Sequence, residues 1–296
     1  MSEAALSFRS VFKADLFAGQ TIVVTGGGSG LGRCIAHELA SLGAQVVIVG
    51  RTDDKLQAVR REIRDDGGKA ESLVCDIREE SQVIAVIDRV LADFGRLDGL
   101  VNNAGGQYRA PMKTLSTRGF EAVVRNNLTG GFIFMREAYN RWMNEHGGSI
   151  VNIIADIWGG WPDYAHSGAA RGGMYTLSQT AACEWAESGV RVNTVAPGGI
   201  ASSGFDTYPP EAQAKILQYP PHVPLQRYGT ESEISAAVVF LLSPGAAYIT
   251  GTCLRVDGGG PNNRPTTWKL APARNNAPFN GFHRAVLPDL LRGPQG

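Results

Sequence analysis

Between residues 21 and 257 this chain alternates short β-branched runs with longer segments of helical period, and no other feature restricts its fold as much. The runs fall at 21–24, 45–49, 70–75, 99–101, 149–154, 191–196 and 253–256, with helical segments such as 54–64 and 81–94 between them. Strands joined by helix-length crossovers pair in parallel, and helices then cover both faces of the sheet. Val46-Val47-Ile48-Val49 shows no polar alternation, which fits a strand buried on both sides. The expected fold class is α/β, a doubly wound parallel sheet in a single domain.

The alternation also sets the expected boundaries. An N-terminal arm covers 1–18, the α/β domain 19–260 and a C-terminal extension 261–296. Two segments depart from the pattern. Residues 198–230 are rich in Pro, Tyr and Ser and read as a long loop with one helix at 211–218. Loops of that length inside a compact domain commonly act as lids. The extension is rich in Pro, Asn and Arg, and reads either as an arm lying on the domain or a neighbouring subunit, or as a disordered end.

Composition narrows the functional classes. Lys plus Arg and Asp plus Glu each number 28, so the formal net charge is zero. That balance argues against nucleic acid or an anionic membrane as the main partner and favours a small-molecule substrate. Cys34, Cys75, Cys183 and Cys253 have no paired spacing and read as free thiols, and no metal site is expected. Residues 1–9 lack the apolar core of a secretory signal, no apolar stretch is long enough to span a bilayer, and the final Gly-Pro-Gln-Gly is not a peroxisomal address. The expected location is cytoplasmic.

Residues 25–32 read T-G-G-G-S-G-L-G, directly after the first apolar run. Glycines 26, 30 and 32 stand between a strand and a helix starting near Leu31. Without side chains, the backbone can approach a pyrophosphate, and the helix N-terminus adds N–H donors and a positive dipole end. Thr25, Gly26, Gly28, Ser29, Gly30 and Leu31 are therefore expected on the phosphate side. The second strand ends Val49-Gly50-Arg51. An acid there would hold a ribose 2′-hydroxyl. Arg51 instead offers a planar fork to a 2′-phosphate, and Arg33 adds a second cation just after Gly32. The expected cofactor is NADP(H).

Three further motifs follow: Asn102-Asn103-Ala104-Gly105, Gly148-Ser149-Ile150-Val151-Asn152-Ile153 and Val190-Arg191-Val192-Asn193-Thr194-Val195-Ala196-Pro197-Gly198. Together with T-G-x-x-x-G-x-G, in this order and at these separations, they resemble the short-chain dehydrogenase/reductase family. The resemblance runs from about Thr21 to Gly259 and implies a Rossmann-like fold. It implies that Asp76 and Ile77 contact the adenine ring. It places Asn103, Ala104 and Gly105 on the nicotinamide side, with Pro197, Gly198 and Ile200 over the nicotinamide amide. Helices at 115–145 and 167–187 correspond to the pair that forms a four-helix interface in the family, which implies a homotetramer.

One departure from the family narrows the chemistry. The family carries a Tyr and, four residues later, a Lys on one helix; here those positions hold Ser167 and Arg171, with the register anchored by Ala181-Ala182-Cys183-Glu184-Trp185-Ala186. The family's catalytic Ser falls on Ala155 and its structural Asn on Asn127. Ser167 has no pKa near neutrality and reads as a hydrogen-bond donor. Arg171 cannot lose its proton, but it can bind ribose hydroxyls and stabilise an anion. Such a pair suits reduction of a double bond conjugated to a thioester. Hydride goes to the β-carbon, and the carbonyl oxygen, becoming enolate-like, needs donors more than a strong acid.

The residues at 149–154 and 166–171 resemble the peroxisomal trans-2-enoyl-CoA reductase branch, with the 2,4-dienoyl-CoA reductases more distant. Asp156 is a candidate acid, because desolvation beside Trp158 and Trp161 would raise its pKa; a loop acid facing solvent is the plain alternative. Tyr164 is a second candidate donor to the substrate oxygen. Arg109, Lys113, Arg118 and Arg125 offer a cationic rim for the anionic end of an acyl-CoA. Two other functions stay open at this point. One is alcohol or carbonyl chemistry on an apolar substrate such as a terpenoid. The other is a degenerate NADP(H)-binding sensor or scaffold.

Overall fold

A computed structural model describes residues 7–202, 204–205 and 210–292; both chain ends and part of the expected 198–230 loop, including Pro209, lie outside it. Seven parallel strands form one sheet in the order β3-β2-β1-β4-β5-β6-β7. They are β1 (Thr21–Thr25), β2 (Gln45–Gly50), β3 (Lys69–Val74), β4 (Gly99–Asn102), β5 (Gly148–Ile153), β6 (Val190–Pro197) and β7 (Cys253–Val256). The sheet is a Rossmann-like α/β fold. Chain direction across the sheet reverses between β1 and β4, and ligands of open α/β sheets bind in the crevice beyond the strand ends at such a point. The register pairs Thr25 with Val49 and Val24 with Val101, so the glycine turn, Gly50 and Asn102 finish close to one level.

Successive β1 residues explain the unbroken apolar runs. Ile22 and Val24 pack with α1 (Gly30–Ser41), α2 (Asp53–Asp65) and α9 (Glu231–Leu242). Val23 points the other way, into the layer of α3 (Glu80–Phe94), α5 (Gly130–Ala138) and α7 (Ala165–Glu184). All three are essentially inaccessible, and each such side chain contributes roughly 1.5–3 kcal/mol of transfer free energy.

The helix expected at 115–145 is one helical run over 117–146 that twice loosens to π geometry. It consists of α4 (Thr117–Val124), α5 and the short α6 (Asn144–His146), joined by π-helical turns at Arg125–Thr129 and Tyr139–Met143. Such turns widen the helix by one residue and often mark functional positions. The first of them carries Asn127. The long loop contains one helix, α8 (Pro210–Gln218).

The C-terminal extension lies on its own domain. The Phe279 carbonyl accepts from the Thr230 hydroxyl at 2.6 Å, and the N–H groups of Gly281 and Phe282 donate to the Ser232 hydroxyl at 3.1 and 3.0 Å. Arg284 pairs with Asp66 at 2.6 Å. Phe282 is 3% exposed and stacks on Phe8, so both arms close over α1 around Cys34. Among the described residues no helix is long and apolar enough to cross a membrane.

Candidate active site

The glycine turn is locked to the end of β4. Thr25 Oγ1 accepts the N–H groups of Asn103 and Ala104, both at 3.0 Å, and Asn103 Nδ2 donates back to the Thr25 carbonyl at 3.0 Å. A Cβ on Gly32 would stand 2.3 Å from the Gly26 carbonyl oxygen, so only glycine allows the helix to start this close to the turn. Gly30 has φ +53°, a left-handed conformation that also favours glycine. Ser29 caps α1 without a side-chain bond, which leaves the first-turn N–H donors to a ligand.

Beside this turn runs a cleft of about 170 Å³. Gly26, Gly28, Ser29, Arg51, Thr52, Lys55, Asp76, Ile77, Ala104 and Gly105 are among its lining residues. It brings together Gly26, Gly28, Ser29, Arg51, Asp76, Ile77, Ala104 and Gly105 of the expected dinucleotide residues and adds Lys55, which sequence reasoning missed. A signal was available: Lys55 is a cation in the first turn of the helix that follows Arg51. Asp76 is gripped at both oxygens by Arg78, and this bond chiefly holds its carboxyl at about 2.

Arg33 corrects the expectation of a second phosphate reader. Its guanidinium bonds Glu62 at 2.7 Å, donates to the Arg284 carbonyl at 3.1 Å and lies over the Phe282 ring. The extension and α2 have claimed it. Arg51 makes no ion pair among the described residues and stands exposed at the cleft.

Next to Gly105, at the end of the cleft, stands a group of side chains from α7 and the π turn at 125–129. Arg171 reaches from α7 to the end of β5, where Nη1 donates to the Ile153 carbonyl at 2.6 Å. Its Nε is buried without a partner, and among the described residues the guanidinium makes no ion pair. Burial lowers its pKa to about 10, so it remains a cation at neutral pH. A Cβ on Gly105 would lie 2.5 Å from both Arg171 Nη2 and Asn127 Oδ1. Asn127 in turn holds both the N–H and the carbonyl of Gly106, at 3.1 and 2.6 Å.

Ser167, expected as a hydrogen-bond donor, donates to a neighbouring side chain. It is fully buried, and its hydroxyl donates to Gln107 Oε1 at 2.6 Å. Gln107 is exposed, and the sequence reading passed over it. His166 is also fully buried, edge-on to Tyr108. Tyr164 precedes α7, its ring tilted against Trp161.

Asp156 is half-buried, and burial raises its carboxyl, with Asp257 adding to the rise and the Trp158 N–H and Arg255 opposing it. The Tyr219 ring lies on the loop after β6, 2.4 Å from where a Gly199 Cβ would stand, and its hydroxyl feels Asp156 and Asp257. Gly198 donates to the Val256 carbonyl at 3.0 Å, and Ile200 bridges Gly229, so Pro197, Gly198 and Ile200 are fixed at the base of the long loop.

The cationic rim is reduced. Arg109 is held by Asp163, itself at φ +67°, and Arg125 lies against Glu79 and the Arg78 carbonyl. Among the described residues Lys113 and Arg118 make no ion pair.

A family model described as enoyl-(acyl carrier protein) reductase matches residues 25–260. The peroxisomal 2,4-dienoyl-CoA reductase of Danio rerio is 36% identical over 259 residues, covering 87% of this chain and 86% of that protein. A citronellol catabolism dehydrogenase of Pseudomonas aeruginosa superposes with TM-score 0.77 at 52% identity, over 85% of this chain and 99% of that one. A Beutenbergia cavernae structure with NADP bound at low occupancy gives TM-score 0.78 at 34% identity, over 84% of this chain and 100% of that one.

Proposed function

We propose that this chain, which belongs to the short-chain dehydrogenase/reductase family of oxidoreductases, reduces the conjugated carbon–carbon double bond of a trans-2-enoyl- or 2,4-dienoyl-CoA with NADPH. The observation that carries the reading is Arg171: a buried cation without a counter-ion, where the family has a titratable Lys, beside Ser167 in place of the phenol. A buried, unpaired cation is costly until an anion faces it. This face is suited to stabilise a developing oxyanion and poorly suited to deliver a proton to oxygen.

The cleft fits the dinucleotide. Glycine-only approaches at Gly26 and Gly32, open N–H donors at α1 and two cations, Arg51 and Lys55, stand where pyrophosphate and 2′-phosphate would be held. The same two cations support NADP(H) over NAD(H). NADPH supplies the hydride when bound. Arg171 binds ribose hydroxyls and faces the substrate oxygen. Asn127 fixes the 105–106 backbone. Ser167 positions the Gln107 amide, which donates to the thioester oxygen together with Tyr164. Asp156, whose carboxyl burial raises, is the acid for protonation at carbon. Lys113 and Arg118 meet the anionic end of CoA. Exposed Phe120 and Phe132 on α4 and α5 support a homotetramer through that face.

Identity of 52% to a citronellol catabolism dehydrogenase favours one second reading, oxidation or reduction of a branched terpenoid at the alcohol or carbonyl. Deuterium transfer separates the two. With NADPH deuterated at the transferring carbon and an enoyl-CoA substrate, the first reading expects one deuterium at carbon 3 of the saturated thioester. Label appearing only on the carbinol carbon of citronellol made from citronellal would establish the second instead.

A further inference from the structure

We propose that Glu231 is a pyrophosphate-facing acid: protonated, it donates a hydrogen bond to a phosphate oxygen of the dinucleotide at the N-terminus of α1, so that cofactor binding takes up a proton. The inference rests on the dinucleotide reading of that turn.

Glu231 opens α9 directly after its cap. Thr230 accepts the Glu233 N–H at 3.2 Å while Glu233 accepts the Thr230 N–H at 2.9 Å, and Glu233 also pairs with Arg227 at 2.6 Å. The cap therefore consumes Glu233 and leaves Glu231 over. Glu231 is 8% exposed, and among the described residues its carboxyl makes no hydrogen bond and no ion pair. It faces Gly30. A Cβ on Gly30 would meet a single atom within 4 Å, Glu231 Oε1 at 3.9 Å, with open space otherwise. That space is bordered by the uncapped first turn of α1 on one side and by this carboxyl on the other. Backbone N–H groups and a neutral carboxyl would all act as donors to one anion, an arrangement a charged carboxylate would oppose.

The charged groups around Glu231 are otherwise engaged. On α1, Arg33 is committed to Glu62 and the Arg284 carbonyl, and the buried Cys34 thiol is held up by burial, by Glu231 and by Glu38. On α2, Glu62 bonds Arg33 and His37. On the extension, Arg284 bonds Asp66. Burial lifts the Glu231 carboxyl to about 7, with Arg33 opposing. A phosphate at Gly30 raises it further. Binding then favours the protonated form, so affinity is highest below neutrality and falls as pH rises, approaching about tenfold per pH unit for one linked proton.

NADPH titrations of the whole protein between about pH 6.5 and about pH 8.5, with calorimetry in two buffers of different ionisation enthalpy, test this. The expected result is a wild-type Kd that rises more than about tenfold across the range with net proton uptake. Glu231→Gln, neutral at every pH, should bind with a nearly flat profile and no uptake through this group. Glu231→Ala serves the same comparison should the Gln variant misfold. A flat wild-type profile without uptake, or an unchanged slope in both variants, overturns the proposal. Failure of NADPH to bind at any pH overturns the dinucleotide reading beneath it as well.

Discussion

The two walls of the crevice are built from different materials. The phosphate wall is backbone: glycines at 26, 30 and 32, the strand ends at Thr25 and Asn103, and a helix N-terminus. The proposed catalytic wall is side chain: Arg171 on the Ile153 carbonyl, Ser167 on Gln107, Asp156 among Trp158, Arg255 and Asp257. A backbone site is sensitive to substitution, because a Cβ would clash at Gly26 and Gly32 and the positive φ of Gly26 and Gly30 disfavours one. A side-chain site can be rebuilt with other residues on the same frame. The family's phosphate wall is accordingly intact here while its Tyr and Lys are exchanged.

Removing the cation is the strongest way to break this contrast. Arg171→Ala should lower kcat/KM for an enoyl-CoA by roughly two to three orders of magnitude, the scale of losing one preorganised oxyanion donor. Steady-state kinetics would show it, and a loss below threefold would remove Arg171 from the oxyanion role.

On the phosphate wall, Arg51→Asp should weaken NADPH by about ten- to a hundredfold and NADH little, since a charge-assisted fork would be lost and a carboxylate placed where the proposed site would hold the 2′-phosphate. Equal Kd values of the wild type for both cofactors, measured by fluorescence, would contradict this.

Ser167→Ala sharpens the comparison at a smaller scale. It should cut kcat by about fivefold to tenfold, because Gln107 loses one buried hydrogen-bond partner worth roughly 1 kcal/mol, with KM for NADPH unchanged. A Ser167→Ala loss as deep as that of Arg171→Ala would make Ser167 itself the donor.

The extension offers the mildest test, on stability. Burial pushes the Glu62 carboxyl up, but the bonds from His37 and Arg33 outweigh it and hold it at about 2. Asp66 is likewise depressed, burial being outweighed by Arg284 and His283. Both folded values lie below the unfolded carboxylate range near 4. Their contribution is therefore complete above that range and is lost as pH falls from about 4 toward about 2. Thermal melts should show Tm dropping in that window, and Glu62→Gln should begin lower and fall less steeply.

The sheet was legible because its signal is local: each strand shows its own β-branched run, and β1 through β7 appear within one or two residues of the runs at 21–24 through 253–256. The phosphate wall was legible because Gly26, Gly30 and Gly32 lie within seven residues of sequence. Arg33 was misread because its partners come from residues 62 and 284, contacts that a single sequence does not display. Gln107 was missed for the same reason, since it meets Ser167 across sixty residues. The π turn around Asn127 has no breaker residue to announce it, as Arg125-Asn126-Asn127-Leu128-Thr129 contains neither Gly nor Pro.

The rebuilt catalytic wall is tested most directly by one competition. NADPH oxidation is followed with a trans-2-enoyl-CoA, a 2,4-dienoyl-CoA, citronellal and simple ketones on the same enzyme, with products identified by mass. The account predicts saturated or singly unsaturated thioester products, at a kcat/KM at least about a hundredfold above that for any free carbonyl, the scale set by one oxyanion donor. Efficient turnover of citronellal or ketones with no reduction of either thioester would contradict it.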